Sequence, residues 1–153
     1  MNIEGILVPI VTPFTADNQV DTTLLAELVD AFIAKGVRGI VACGTTGEYY
    51  ALSEAERETV LTTIVKAAAG RCTLIAGVSD MSSEVAAQRA ARAKELGYDG
   101  LMLSAPPYSL PSQQGIIEHF EYVASKTDLP IILYNFPARI GVELEFETVA
   151  HLA

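Results

Sequence analysis

The sequence predicts an α/β protein in which short buried strands alternate with amphipathic helices around a parallel sheet. Three observations carry this expectation. The candidate strands are continuous apolar runs rather than alternating ones, as befits strands covered on both faces. Longer helical patterns separate them. Glycines recur where those helices should end, at Gly36, Gly70 and Gly97. Five such βα units fit either a doubly wound sheet or part of a (β/α)8 barrel.

Each element has its own signal. The first strand is read in the apolar run 5–10. A helix follows with Asp21 as N-cap and Leu24, Leu25, Leu28, Val29, Phe32 and Ile33 on one face. The second strand is 39–43. Ser53 and Glu56 have the spacing of a capping box, opening a helix through Val60, Leu61, Ile64 and Val65. The third strand is 72–76, followed by a helix over 83–96. The fourth strand is 100–103, and its helix, capped by Pro111-Ser112, runs over 112–125. The fifth strand is 131–134, and a last helix begins near Glu145.

Composition narrows the function classes. The chain has 153 residues, 50% hydrophobic and 19% charged, enough for one domain with a core. Its net charge of −9, with acids and bases interspersed, disfavours a nucleic-acid partner. No apolar stretch reaches the ~18–20 residues of a membrane span, and residues 1–5 lack signal-peptide character. A cytoplasmic protein without a membrane partner is the expectation. Cys43 and Cys72 read as reduced structural thiols. His119 and His151 show no ligand spacing, so neither a metal nor a cofactor is expected.

In both candidate architectures, active groups gather on loops after the strand C-termini. Those positions hold Thr12, Thr45, Thr46, Glu48, Ser79, Ser104, Tyr108, Tyr134, Asn135 and Arg139. Hydroxyls with one guanidinium suit a small anionic substrate and proton shuttling. The Lys-Ser/Thr of a phosphate-binding loop and a G-x-G-x-x-G fingerprint are both missing. The densest cluster is Gly44-Thr45-Thr46-Gly47-Glu48, directly after the second strand. Taken singly, each residue also has a plainer reading: the threonines as turn caps, Tyr134 as a core tyrosine, Tyr108 as an interface aromatic, Arg139 as a solvated charge.

Gly44-Thr45-Thr46-Gly47-Glu48, the stretch from Pro107-Tyr108 through Pro111-Ser112-Gln113-Gln114-Gly115, and Leu133-Tyr134-Asn135-Phe136-Pro137-Ala138-Arg139 resemble the dihydrodipicolinate synthase / N-acetylneuraminate lyase family, as do Val8-Pro9 and Val11-Thr12-Pro13-Phe14. The motifs lie in register along the whole chain. The resemblance implies a (β/α)8 barrel of which residues 1–153 supply the first five βα units, the N-terminal portion of a single, truncated domain. It also implies a lyase or synthase that joins or cleaves pyruvate through a lysine Schiff base. Tyr134, Thr46 and Tyr108 would then be the catalytic proton relay, with Tyr108 reaching a neighbouring subunit of a homo-oligomer, a dimer of dimers. Thr45, Thr46 and the Gly47 amide would hold the 2-keto acid, and Arg139 the carboxylate of an aldehyde co-substrate.

The family's Schiff-base lysine falls some two dozen residues beyond Tyr134 and is not among the four lysines here, Lys35, Lys66, Lys94 and Lys126, all on or beside expected helices. Arg139 points to the branch that condenses pyruvate with aspartate semialdehyde. Tyr49-Tyr50 and Ser109-Leu110 depart from that branch's pattern and leave room for a 2-keto-3-deoxy sugar-acid aldolase or dehydratase, or an N-acetylneuraminate lyase-like enzyme. A half barrel that binds a 2-keto acid without turning it over, a scaffolding module, is the alternative of another class.

Overall fold

The strands β1 (Leu7–Pro9), β2 (Gly39–Ala42), β3 (Thr73–Gly77), β4 (Gly100–Ser104) and β5 (Ile131–Tyr134) form one parallel sheet in the order β1-β2-β3-β4-β5. The computed structural model describes residues 3–153. A doubly wound sheet reverses its strand order at a switch point. Here every strand pairs with its neighbour in sequence, which is the winding of a barrel wall.

Helices α1 (Thr22–Ala34), α2 (Glu54–Ala68), α3 (Ser83–Leu96) and α4 (Gln113–Ala124) cross between the strands, and α5 (Pro137–Ile140) and α6 (Phe146–Leu152) follow β5. Their starts obey local chemistry. The Asp21 carboxylate accepts from the Leu24 amide at 2.9 Å. Ser53 and Glu56 close the capping box, the Glu56 carboxylate accepting from the Ser53 amide at 2.8 Å. At α3 and α4 the cap is the serine hydroxyl alone, Ser82 accepting from the Val85 amide and Ser112 from the Gly115 amide. At the far ends, α3 stops at Gly97 in the left-handed region, whereas α2 stops one residue before Gly70, at Ala69 with φ 47°.

Alternation along the strands divides the core. Ile40, Ala42, Leu74, Ala76, Leu101 and Leu103 pack against Val29, Val60, Ile64, Ala90 and Phe120 of the helices. The residues between them, Val41, Ile75, Met102 and Ile132, turn to the opposite, inner face; Tyr134 falls on this face by the same parity. Val41 and Ile75 are buried, Met102 and Ile132 half-buried. β3 begins one residue later than its apolar run suggests, because pairing with β2 starts at Gly39 opposite Thr73 and leaves Cys72 outside the ladder. The expectation that every strand is covered on both faces fails at the rims: β5 is half-buried throughout and Pro9 of β1 is exposed, since each of these strands pairs on one side only. Among the described residues, no helix is long and apolar enough to cross a membrane.

Candidate functional site

The loop after β2 is shaped by what surrounds it. Residues Thr45–Gly47 and Tyr49–Ala51 form two successive 3-10 turns. The Gly47 amide donates to the Gly44 carbonyl at 3.1 Å, and the Glu48 amide to the Thr45 carbonyl at 3.1 Å. Thr12, after β1, donates its hydroxyl to the Gly47 carbonyl at 2.8 Å. A Cβ on Gly47 would stand 3.0 Å from the Ile10 carbonyl, tighter than an ordinary contact, so glycine lets the loop lie this close to the β1 end without a shift. Gly47 is thus held inside the turn, its amide spent there. The amide expected to hold a 2-keto acid is thus engaged by the Gly44 carbonyl within its own turn.

With Gly47 fixed, Thr45 turns inward. Its Oγ1 lies 3.5 Å from Tyr134 Oη, at the end of β5. Both residues are half-buried. It is therefore Thr45, and not Thr46, that meets the phenol. Thr46 is exposed beside it. Together Thr45 and Thr46 line a cavity of about 500 Å³ with Glu48, Tyr49, Tyr50, Pro107, Arg139 and Ile140. Arg139 reaches the cavity because Pro137, with its fixed φ, opens the single turn α5 after Phe136. That turn escapes sequence reading, being too short for a helical period. Tyr49 and Tyr50 meet edge to face, ring centroids 5.6 Å apart. Burial, and next the nearby Asp80 carboxylate, push the Tyr49 phenol pKa up.

Tyr108 is placed differently. It is 89% exposed, outside the cavity lining, on a three-residue turn closed by Ser109 N–H donating to the Pro107 carbonyl at 2.9 Å. Its φ of 72° is left-handed, a strained setting for a bulky side chain. Ser79 and Ser104, other hydroxyls at strand ends, are buried and serve the fold: the Ser104 amide donates to Ser79 Oγ at 3.0 Å, and Ser104 Oγ to the Ala105 carbonyl at 2.9 Å. Cys43 is buried, which pushes its thiol pKa up, while Cys72 is half-buried.

The lysines lie in the outer layer. Lys35 follows α1, Lys66 and Lys94 are within α2 and α3, and Lys126 follows α4. Lys94 pairs with Asp128 at 2.8 Å, and Lys126 stands over the Tyr122 ring at 5.3 Å. None of the four lines the cavity. A larger hollow of about 560 Å³, lined by Arg38, Arg71, Cys72 and Asp99 among others, lies at the opposite end of the sheet, where loops enter the strands and serve stability in this architecture.

The sequence model described as the Dihydrodipicolinate synthetase family matches residues 2–153. The 4-hydroxy-tetrahydrodipicolinate synthase 1 of Halalkalibacterium halodurans is 40% identical over 153 residues, which is 100% of this chain and 52% of the relative. Among solved structures, the 4-hydroxy-tetrahydrodipicolinate synthase of Methylacidiphilum fumariolicum superposes with a TM-score of 0.96 at 36% identity, over 99% of this chain and 50% of that one. The chloride-inhibited dihydrodipicolinate synthase of Acinetobacter baumannii, solved with pyruvate, gives a TM-score of 0.96 at 40% identity, over 99% of this chain and 52% of that one. The chain spans about half the length of the curated relatives it matches.

Proposed function

This chain belongs to the dihydrodipicolinate synthetase family, and from that premise we propose that it carries the 2-keto-acid-holding and proton-relay part of a Schiff-base lyase or synthase. In this reading residues 1–153 are the N-terminal portion of one (β/α)8 barrel domain, and pyruvate is the first substrate. The observation that carries it is the Thr45–Tyr134 hydroxyl pair at the inner mouth of the sheet. A phenol backed by a second hydroxyl can pass a proton to and from an imine or carbinol held beside it.

The geometry favours one exchange of roles within the threonine pair. Thr45, in contact with Tyr134, suits the relay. Thr46, exposed at the cavity wall, suits the carboxylate of the 2-keto acid. Arg139 lines the same cavity and, as a planar fork of donors, suits a carboxylate on the aldehyde co-substrate, as in aspartate semialdehyde. Tyr108, displayed on a strained turn away from its own cavity, suits a role in a neighbouring copy of a homo-oligomer, completing a Thr–Tyr–Tyr relay there. The imine nitrogen would come from a lysine outside these residues, since all four lysines here lie in the outer layer.

A second reading rests on the cavity wall. Glu48, Tyr49 and Tyr50 stand on the same lining as Arg139, and this supply of hydroxyl and carboxylate groups favours a polyhydroxylated 2-keto-3-deoxy acid. The two readings separate in a completed barrel, made by joining residues 1–153 to the second half of the Halalkalibacterium halodurans relative. Turnover of pyruvate with aspartate semialdehyde, with KM for the aldehyde raised in Arg139→Ala, supports the synthase reading. Turnover confined to 2-keto-3-deoxy sugar acids supports the second.

A further inference from the structure

Arg57, in α2, has 3% of its surface exposed. An arginine is almost never this deeply buried unless it is paired. The carboxylates nearest it on its own helix are engaged elsewhere: Glu54, one turn before it, with Arg89, and the adjacent Glu58 with Arg92. The Arg57 Nη2 donates instead to the Gly77 carbonyl. Its Nη1, equally buried, has no hydrogen-bond partner among the described residues. A buried guanidinium so poorly compensated costs stability, and an apolar residue of similar size would remove that cost. Its presence therefore points to geometry rather than stability.

Gly77 is the last residue of β3. A Cβ there would stand 2.3 Å from the Cys43 carbonyl oxygen and 3.2 Å from the Gly44 amide nitrogen. The end of β3 thus lies directly on the root of the threonine loop. Cys43 at that root is left-handed, with φ 51°. A non-glycine residue keeps such a conformation only when its surroundings impose it. Two residues on, Thr45 meets Tyr134.

We infer that Arg57 is a positioning residue for the candidate site: by anchoring the Gly77 carbonyl it holds β3 against the Cys43–Gly44 peptide and so sets Thr45 Oγ1 opposite Tyr134 Oη. The inference rests on the role proposed for Thr45. Its test reads the loop's geometry rather than turnover, so the two fail separately.

The probe is the chain labelled with 13C at the tyrosine ζ-carbon, the Tyr134 resonance being assigned by its loss in Tyr134→Phe. Thr45→Val removes the hydroxyl partner and defines the displacement of that resonance. Arg57→Leu displaces it in the same direction, while the Tyr122 resonance, from a phenol on α4, stays in place. Arg57→Lys, which keeps a donor towards Gly77, returns most of the displacement. If Arg57→Leu does not fold, Arg57→Gln takes its place. The inference is overturned if a folded Arg57→Leu or Arg57→Gln chain leaves Tyr134 at its original shift, if Arg57→Lys restores nothing, or if Thr45→Val itself moves nothing.

Discussion

Thr45 Oγ1 and Tyr134 Oη lie 3.5 Å apart, although 89 residues separate them in the chain. The contact joins the loop after β2 to the end of β5 across the inner face of the sheet, and among the described residues it is the one place where two candidate relay groups touch. Removing either hydroxyl from the completed barrel breaks the relay without emptying the cavity. Tyr134→Phe and Thr45→Val each lower kcat by about 10²–10⁴-fold, the usual range for a positioned proton donor, with KM for pyruvate changed far less. Because the two act as a unit, the double variant is scarcely slower than either single one. Steady-state kinetics on the three variants check this.

Arg139 acts on binding. In the completed barrel, Arg139→Ala raises KM for an aldehyde that carries a carboxylate by about 10–100-fold, the worth of a charged hydrogen bond, and leaves KM for pyruvate nearly unchanged. Arg139→Lys recovers only part, since a point charge cannot reproduce the planar fork. Equal effects on both substrates would move Arg139 to the 2-keto acid.

Gly77→Ala tests the close contact between β3 and the threonine loop. The added methyl would stand 2.3 Å from the Cys43 carbonyl oxygen, a backbone atom that cannot swing aside. The backbone must shift, and the chain loses about 1–3 kcal/mol of stability. Urea unfolding of the chain measures this, and a midpoint equal to the parent's would show that the two segments part freely.

His119 gives the stability a pH dependence. It is buried between α3 and α4, with Nδ1 2.8 Å from Ser83 Oγ. Burial pushes its pKa down, with the Ser104 carbonyl and the Asp80 carboxylate pulling weakly the other way. A base whose folded pKa lies below its unfolded value binds protons more readily when unfolded. Stability is therefore full above the unfolded value of about 6.5 and falls as pH drops from there towards the folded pKa. Glu56 and Glu84, whose carboxyls are held below their ordinary range by hydrogen bonds from Ser53 and Tyr122, act only in more acid solution. In His119→Gln the slope of the urea midpoint between about pH 7 and 5 flattens. An unchanged slope would place the titrating group elsewhere.

What was legible in the sequence was whatever local chemistry decides. The Asp21 cap, the Ser53–Glu56 box and the Gly97 stop follow from side chains meeting backbone within one helical turn, and each appears as read. The apolar strand runs were equally plain, because burial on both faces leaves no polar alternation. Whatever depends on distant parts of the chain was hidden. Which threonine meets Tyr134 depends on the 3-10 turn pinned by Thr12 and Gly44. Arg57, on an amphipathic helix, has the look of a solvated charge until the Gly77 carbonyl is found above it. The exposure of Tyr108 follows from a left-handed turn that Pro107-Tyr108-Ser109 does not announce, since nothing there is a glycine.

The central claim is that these residues hold and protonate a 2-keto acid whose imine forms on a lysine beyond them. Pyruvate with borohydride, followed by mass spectrometry of the digested protein, tests it most directly. The prediction is a reduced adduct in the completed barrel, on a lysine of its second half, and no adduct on Lys35, Lys66, Lys94 or Lys126 in either the barrel or the 153-residue chain. An adduct on any of those four would contradict the account.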